Sequence, residues 1–310
     1  IRVFAASKPI HKITVAWPSG RVSTVTDIRP NRVYEIHESG AGQPEKNEEA
    51  KPSPFFEDVS HLLSHKHTEK AFDDFSRQQL LPRKLSQEGP GVAWLDWNGD
   101  GGDDIAVATG SGGRLGVFLS DGKGGFEKAP TVSLGQVSPR DQASILWLNS
   151  NKNGLLVLQS NYEDGLAFGP ALQLHGTTDA PKKLLDAGTV SYSTLCAADY
   201  DRDGDLDLFI GESSGELNFY RNVGTPQAPS FDLVTDRFGE IDAGRRSFPT
   251  FADVDGDGDQ DLLLGREEGG VLLYRREGSP ADADPVFVLD SRFTLPLPSY
   301  STPSLVDIDG

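Results

Sequence analysis

One short acidic motif recurs along this chain and narrows what it can fold into. It reads D-W-N-G-D-G-G-D-D from Asp96, D-Y-D-R-D-G-D-L-D from Asp199 and D-V-D-G-D-G-D-Q-D from Asp253, and it opens again at Asp307 and Asp309. Each complete copy places an oxygen-bearing side chain at positions 1, 3, 5 and 9, with glycine at position 6. Each is followed by a short apolar run that ends at glycine: D-I-A-V-A-T-G, D-L-F-I-G and D-L-L-L-G. Brief apolar runs bounded by turn residues read as buried strands rather than amphipathic helices. The repeated unit is therefore an acidic turn feeding a strand.

Oxygen donors at alternate positions, with glycine where the backbone must turn sharply, are the demands of a calcium loop. The candidate ligands are Asp96, Asn98, Asp100 and Asp104; Asp199, Asp201, Asp203 and Asp207; Asp253, Asp255, Asp257 and Asp261; and, in the fourth loop, Asp307 and Asp309. Two carboxylates about 4 Å apart repel by roughly 4 kcal/mol at an effective dielectric of about 20, so such a cluster makes sense around a hard divalent ion. An EF-hand shares this opening but needs a bidentate glutamate at position 12 and a helix on either side. Position 12 here is Val107, Ile210 and Leu264. The expected cofactor is thus Ca²⁺, held in loops set between strands, and its simplest role is to pin a turn.

Spacing turns the unit into an architecture. Asp199 lies 103 residues after Asp96, whereas Asp253 and Asp307 each follow at 54. The first interval conceals a further copy, W-L-N-S-N-K-N-G, with Asn149, Asn151 and Asn153 at the ligand positions. Lacking any negative charge and a closing aspartate, that repeat is expected to keep the turn and lose the ion. A fixed period of about 50 residues built from several short strands is the signature of an all-β β-propeller, one blade per repeat. G-E-S-S-G-E-L-N-F-Y-R-N-V-G from Gly211 and G-R-E-E-G-G-V-L-L-Y-R-R-E-G from Gly265 align in their glycines and tyrosine, and D-G-K-G-G at Asp121 fits a hairpin within a blade.

From residue 54 onward the chain resembles the FG-GAP or VCBS-repeat propellers, similar to the integrin α-chain head. Residues 12–38, around W-P-S-G at Trp17–Gly20, resemble the end of an ASPIC/UnbV domain, the module joined to such propellers in cartilage-acidic-protein-like and UnbV-like proteins. The expected organisation is residues 1–39 as the end of that small β domain, 40–53 as a polar linker and 54–310 as blades. The resemblance implies seven blades in a complete ring, of which residues 54–310 supply about five. In that family the ASPIC module usually follows a propeller. Its position ahead of one here, with a first residue that is not methionine and a last one inside a loop, suggests a segment of a longer polypeptide with successive propellers.

Composition sets limits on partners. Forty-seven acidic against 29 basic residues leave a net charge of −18. That balance opposes nucleic acid, whose phosphates need basic surface, and direct binding to anionic lipid. No apolar run approaches a membrane span. The single cysteine, Cys196, can form no intrachain disulfide and reads as a small core residue.

Catalytic signals are sparse. Gly211–Gly215 satisfies the G-x-S-x-G pattern with Ser213 at the serine, but a nucleophile elbow needs a following helix, and E-L-N-F-Y looks like another strand. His61, His65 and His67 stand near Glu57, Asp58, Asp73 and Asp74, an arrangement compatible with a transition-metal site and more ordinarily with solvated histidines. The resulting expectation is a non-enzymatic, calcium-binding propeller of an extracellular, cell-surface or periplasmic protein that binds a protein or glycan partner. A polysaccharide-acting enzyme on the same scaffold and a structural spacer are the alternatives.

Overall fold

The computed structural model describes residues 10–42, 57–81, 84–87, 89–130, 133–148, 154–164, 171–176, 181–186, 194–225, 228–278, 285–293 and 295–305. Two compact units divide the chain, Ile1–Asp58 and Val59–Gly310.

In the first unit, β1 (Lys12–Ala16) and β2 (Val22–Thr26) form an antiparallel hairpin in which Ala16 faces Val22. Ile13, Val15 and Trp17 alternate toward the less exposed side, as period-two patterning requires. The W-P-S-G turn closes with Trp17 N donating to Arg21 O at 2.9 Å and Gly20 N to Trp17 O at 2.9 Å. Trp17 Nε1 also donates to Ser23 Oγ at 2.9 Å. Gly42 returns to pair with Val22, so folded backbone reaches that far. The rest of the expected linker, residues 43–53, lies outside the described residues.

The second unit is built from four antiparallel meanders of four strands each. The first contains β3 (Val92–Leu95), β4 (Asp104–Val107), β5 (Gly116–Ser120) and β6 (Phe126–Lys128). The second contains β7 (Gln142–Leu148), β8 (Gly154–Gln159), β9 (Ala171–His175) and β10 (Lys182–Asp186). The third contains β11 (Thr194–Ala198), β12 (Asp207–Gly211), β13 (Leu217–Asn222) and β14 (Phe231–Thr235). The fourth contains β15 (Ser247–Ala252), β16 (Asp261–Arg266), β17 (Val271–Glu277) and β18 (Val286–Leu289).

First strands of successive sheets, β3, β7, β11 and β15, lie beside one another. Side-chain bonds stitch them: Leu195 N donates to Ser144 Oγ at 3.2 Å, and Thr194 Oγ1 donates to Ser247 O at 3.0 Å. Past their opening aspartate or glycine, the second strands are mainly apolar because each is covered on both faces. In β8, Leu155 and Val157 join a core shared with the first sheet, whereas Leu156 and Leu158 join one shared with the third. In β12, Leu208 and Ile210 face the second sheet and Phe209 faces the fourth. Cores that lie between sheets, with strand order running outward from a common inner edge, make these sheets propeller blades.

The opening of a fifth repeat is in place. Ser301 N donates to Arg266 O at 3.3 Å, repeating at 54-residue spacing the bond from Ser247 N to Glu212 O at 3.0 Å. A Cβ on Gly211 would collide with Ser247 O and Pro249, and one on Gly265 with Ser301 O and Pro303, so both joints need a glycine. Among the described residues four blades and this opening follow one another without closing a ring. The β7–β8 connection stands where the acidic loops stand in the other blades. Its Asn149, Asn151 and Asn153 lie outside the described residues, as do Asp307 and Asp309.

Candidate metal centre

All three complete acidic loops join the first strand of a blade to its second: β3 to β4, β11 to β12 and β15 to β16. Their backbone follows one plan. The position-1 carboxylates of Asp96, Asp199 and Asp253 accept from the amides of Gly101, Gly204 and Gly258 at 3.0, 3.2 and 2.9 Å. The position-5 carboxylates of Asp100, Asp203 and Asp257 accept from the amides of Gly102, Asp205 and Asp259 at 2.7, 2.9 and 2.8 Å. Position 4 adopts positive φ in every copy. Gly99 and Gly256 meet this need (both φ 77°), and Arg202 takes it at φ 62°. Its guanidinium crosses to the next blade, where it donates to Gly258 O at 2.8 Å and pairs with Asp259.

Position 9 does different work. Asp104, Asp207 and Asp261 open the second strands and are buried. Asp104 accepts from Trp97 N at 3.0 Å and Ser120 N at 2.8 Å. Asp207 accepts from Tyr200 N at 3.3 Å and Asn222 N at 2.8 Å. Asp261 accepts from Arg276 N at 3.0 Å and from the Arg275 guanidinium at 2.6 Å. Each therefore ties loop or side chain to the third strand of its blade. Positions 1, 3 and 5 converge: one ligand oxygen each from Asp199, Asp201 and Asp203, and likewise from Asp253, Asp255 and Asp257, lie within 4.8 Å of one another.

The loops differ in electrostatic satisfaction. In the first, bonds from Gly102 and Asn98 hold Asp100 below the usual carboxylate range. In the second, burial and then the neighbouring Asp203 and Asp201 push Asp199 up, and burial pushes Asp207 up to about 6. Asp199 Oδ1 and Asp201 Oδ1 are buried with no hydrogen-bond partner. Buried acceptors without donors, in a set of hard oxygen ligands, fit a cation.

A family model described as FG-GAP-like repeat matches residues 96–162 and 199–264, and one described as ASPIC and UnbV matches residues 4–43. These stretches are thus similar to FG-GAP-like repeats, and the one ahead of them to an ASPIC and UnbV segment. No curated protein matches it. The two FG-GAP-like matches each begin at the first aspartate of an acidic loop, and the first runs through the asparagine-bearing segment between β7 and β8.

Around the FG-GAP-like repeats, the remaining candidates resolve into structure. Val107, Ile210 and Leu264 are buried in second strands, as the strand reading requires. Gly211–Gly215 is the hairpin between β12 and β13, closed by Gly215 N donating to Glu212 O at 3.2 Å, and no helix follows it. Cys196 is buried in the core between the third and fourth blades, and that burial pushes its thiol up to about 12. His65 packs edge-on against Phe118 at 5.5 Å, and His67 pairs with Glu69 at 3.5 Å. Among the described residues no metal-capable cluster includes a histidine. No helix among them is long and apolar enough to cross a membrane.

One cluster escaped the sequence reading. Glu69, Asp141 and Glu163 bring carboxylate oxygens within 4.8 Å of one another. They come from three separate segments, so no spacing announces them. Burial, followed by Asp141, Glu69 and Asp74, pushes Glu163 up to about 7.

Proposed function

We propose that this chain is a calcium-stabilised, non-catalytic propeller module of a larger exported or cell-surface protein, and that its exposed blade loops bind a protein or glycan partner. FG-GAP-like repeats are typical of extracellular ligand-binding and adhesion modules, which supports the setting. The observation that carries the metal reading is the second loop, where buried Asp199 Oδ1 and Asp201 Oδ1 lack donors beside Asp203. When bound, calcium would supply the partner that these two oxygens lack. Asp96, Asn98 and Asp100, Asp199, Asp201 and Asp203, and Asp253, Asp255 and Asp257 would hold it, while the position-9 aspartates fasten each loop to the third strand.

Thermal unfolding in chelator and across a calcium titration, with magnesium as control, tests this. With a dissociation constant near 10⁻⁴ M and about 1 mM calcium, each site adds roughly 1.4 kcal/mol, so three sites raise the melting temperature by several degrees. A folded chain whose melting ignores calcium overturns the reading. Turnover of a sugar polymer by the purified chain would overturn its non-catalytic part.

A further inference from the structure

The three loops are not equivalent, and the difference lies in one residue of the third strand. The residue just before the one whose amide caps the position-9 aspartate is Leu119 in the first blade, Arg221 in the third and Arg275 in the fourth, in matching register on β5, β13 and β17. Leu119 brings no charge to its loop. Arg221 approaches the position-3 aspartate, with Nε 3.2 Å from Asp201 Oδ2. Arg275 goes further: Nη1 lies 3.1 Å from Asp255 Oδ2 and 2.6 Å from Asp261 Oδ2. It bridges positions 3 and 9 of the loop, and it holds the Asp261 oxygen whose counterparts on Asp104 and Asp207 accept the position-2 amide.

We propose that Arg275 is a tethered counter-cation that competes with calcium for the third loop and makes it the last of the three to fill. This rests on the calcium reading above. A guanidinium and a divalent ion repel each other, and both are drawn to the Asp255 carboxylate, so the arginine opposes the ion until it is displaced. The displaced group has a receiver nearby: Asp290 Oδ2 lies 3.8 Å from Arg275 Nε. The residue thus sets affinity through competition, and the blades load in stages as calcium rises.

Calcium binding by isothermal titration calorimetry and equilibrium dialysis tests this on the wild-type chain, R275L, R275Q and R275K, with D253N to mark the third loop. R275L installs the first blade's residue, and R275Q keeps a hydrogen-bonding head without charge should the leucine variant fail to fold. The wild type should show one site at least about tenfold weaker than the others. The neutral variants should tighten that site about tenfold or more and leave the others unchanged, R275K should keep it weak, and D253N should abolish the gain. Three equal sites in the wild type, or a weak site that the neutral variants leave unchanged or weaken further, would make Arg275 a structural ion pair and sink the proposal. Absence of calcium binding at every loop would instead bring down the calcium reading itself, and this inference with it.

Discussion

Asp104, Asp207 and Asp261 show how one residue type serves two purposes. The motif marks them as ligands, yet each is buried with amides from the third strand on its oxygens. Those partners, Ser120, Asn222 and Arg276, lie far along the chain, so the motif alone could not disclose the tie. Asp104→Ala would leave the amides of Trp97 and Ser120 without an acceptor and should cost about 2–4 kcal/mol, read from urea unfolding in chelator as well as in calcium. Glu163 makes a prediction of opposite kind. Its pKa rises on folding from an ordinary 4.5 to about 7, so the folded state favours the protonated form. That contribution is complete below about pH 4.5 and is lost as pH climbs through about 7. Glu163→Gln should therefore match the wild type near pH 4 and exceed it at pH 8 by about 1 kcal/mol, after discounting for solvent screening, in chemical denaturation across that range.

Among the elements, second strands were the most legible. Runs such as D-L-F-I-G announced full burial, and β12 indeed divides its side chains between two neighbouring cores. The outer strands were less so: β14 exposes Leu233 and Val234, because a blade's last strand has a neighbour on one edge only. The glycine joints were visible as a repeated register but not as contacts, since what fills the space beside Gly211 belongs to the next repeat. Gly211→Ala drives a methyl into Ser247 O and Pro249, and Gly265→Ala into Ser301 O and Pro303. At both joints the nearest obstacle is a backbone carbonyl, which cannot swing away. Each substitution should cost about 1–3 kcal/mol, and because the joints repeat, thermal melts of the two variants should show similar losses.

On the scale of the whole molecule, cohesion comes from surfaces between blades. Leu155 and Val157 meet the first blade, Leu156 and Leu158 the third, and Phe209 closes on Leu262 and Leu264 of the fourth. The period in the sequence made this arrangement readable, because a sheet apolar on both faces needs a neighbour on each. The charge balance was readable too, but not its distribution: Arg202 carries a positive group from one acidic loop to the next, and nothing in its own loop calls for it. The joint that links Gly211 to Ser247 and Pro249 recurs at Gly265 with Ser301 and Pro303. A 54-residue stretch of this region therefore carries the socket at one end and the matching plug at the other. Duplicating it in frame would insert a complete blade whose two seams are already cut to fit, so such a fold lengthens by copying rather than by inventing new interfaces.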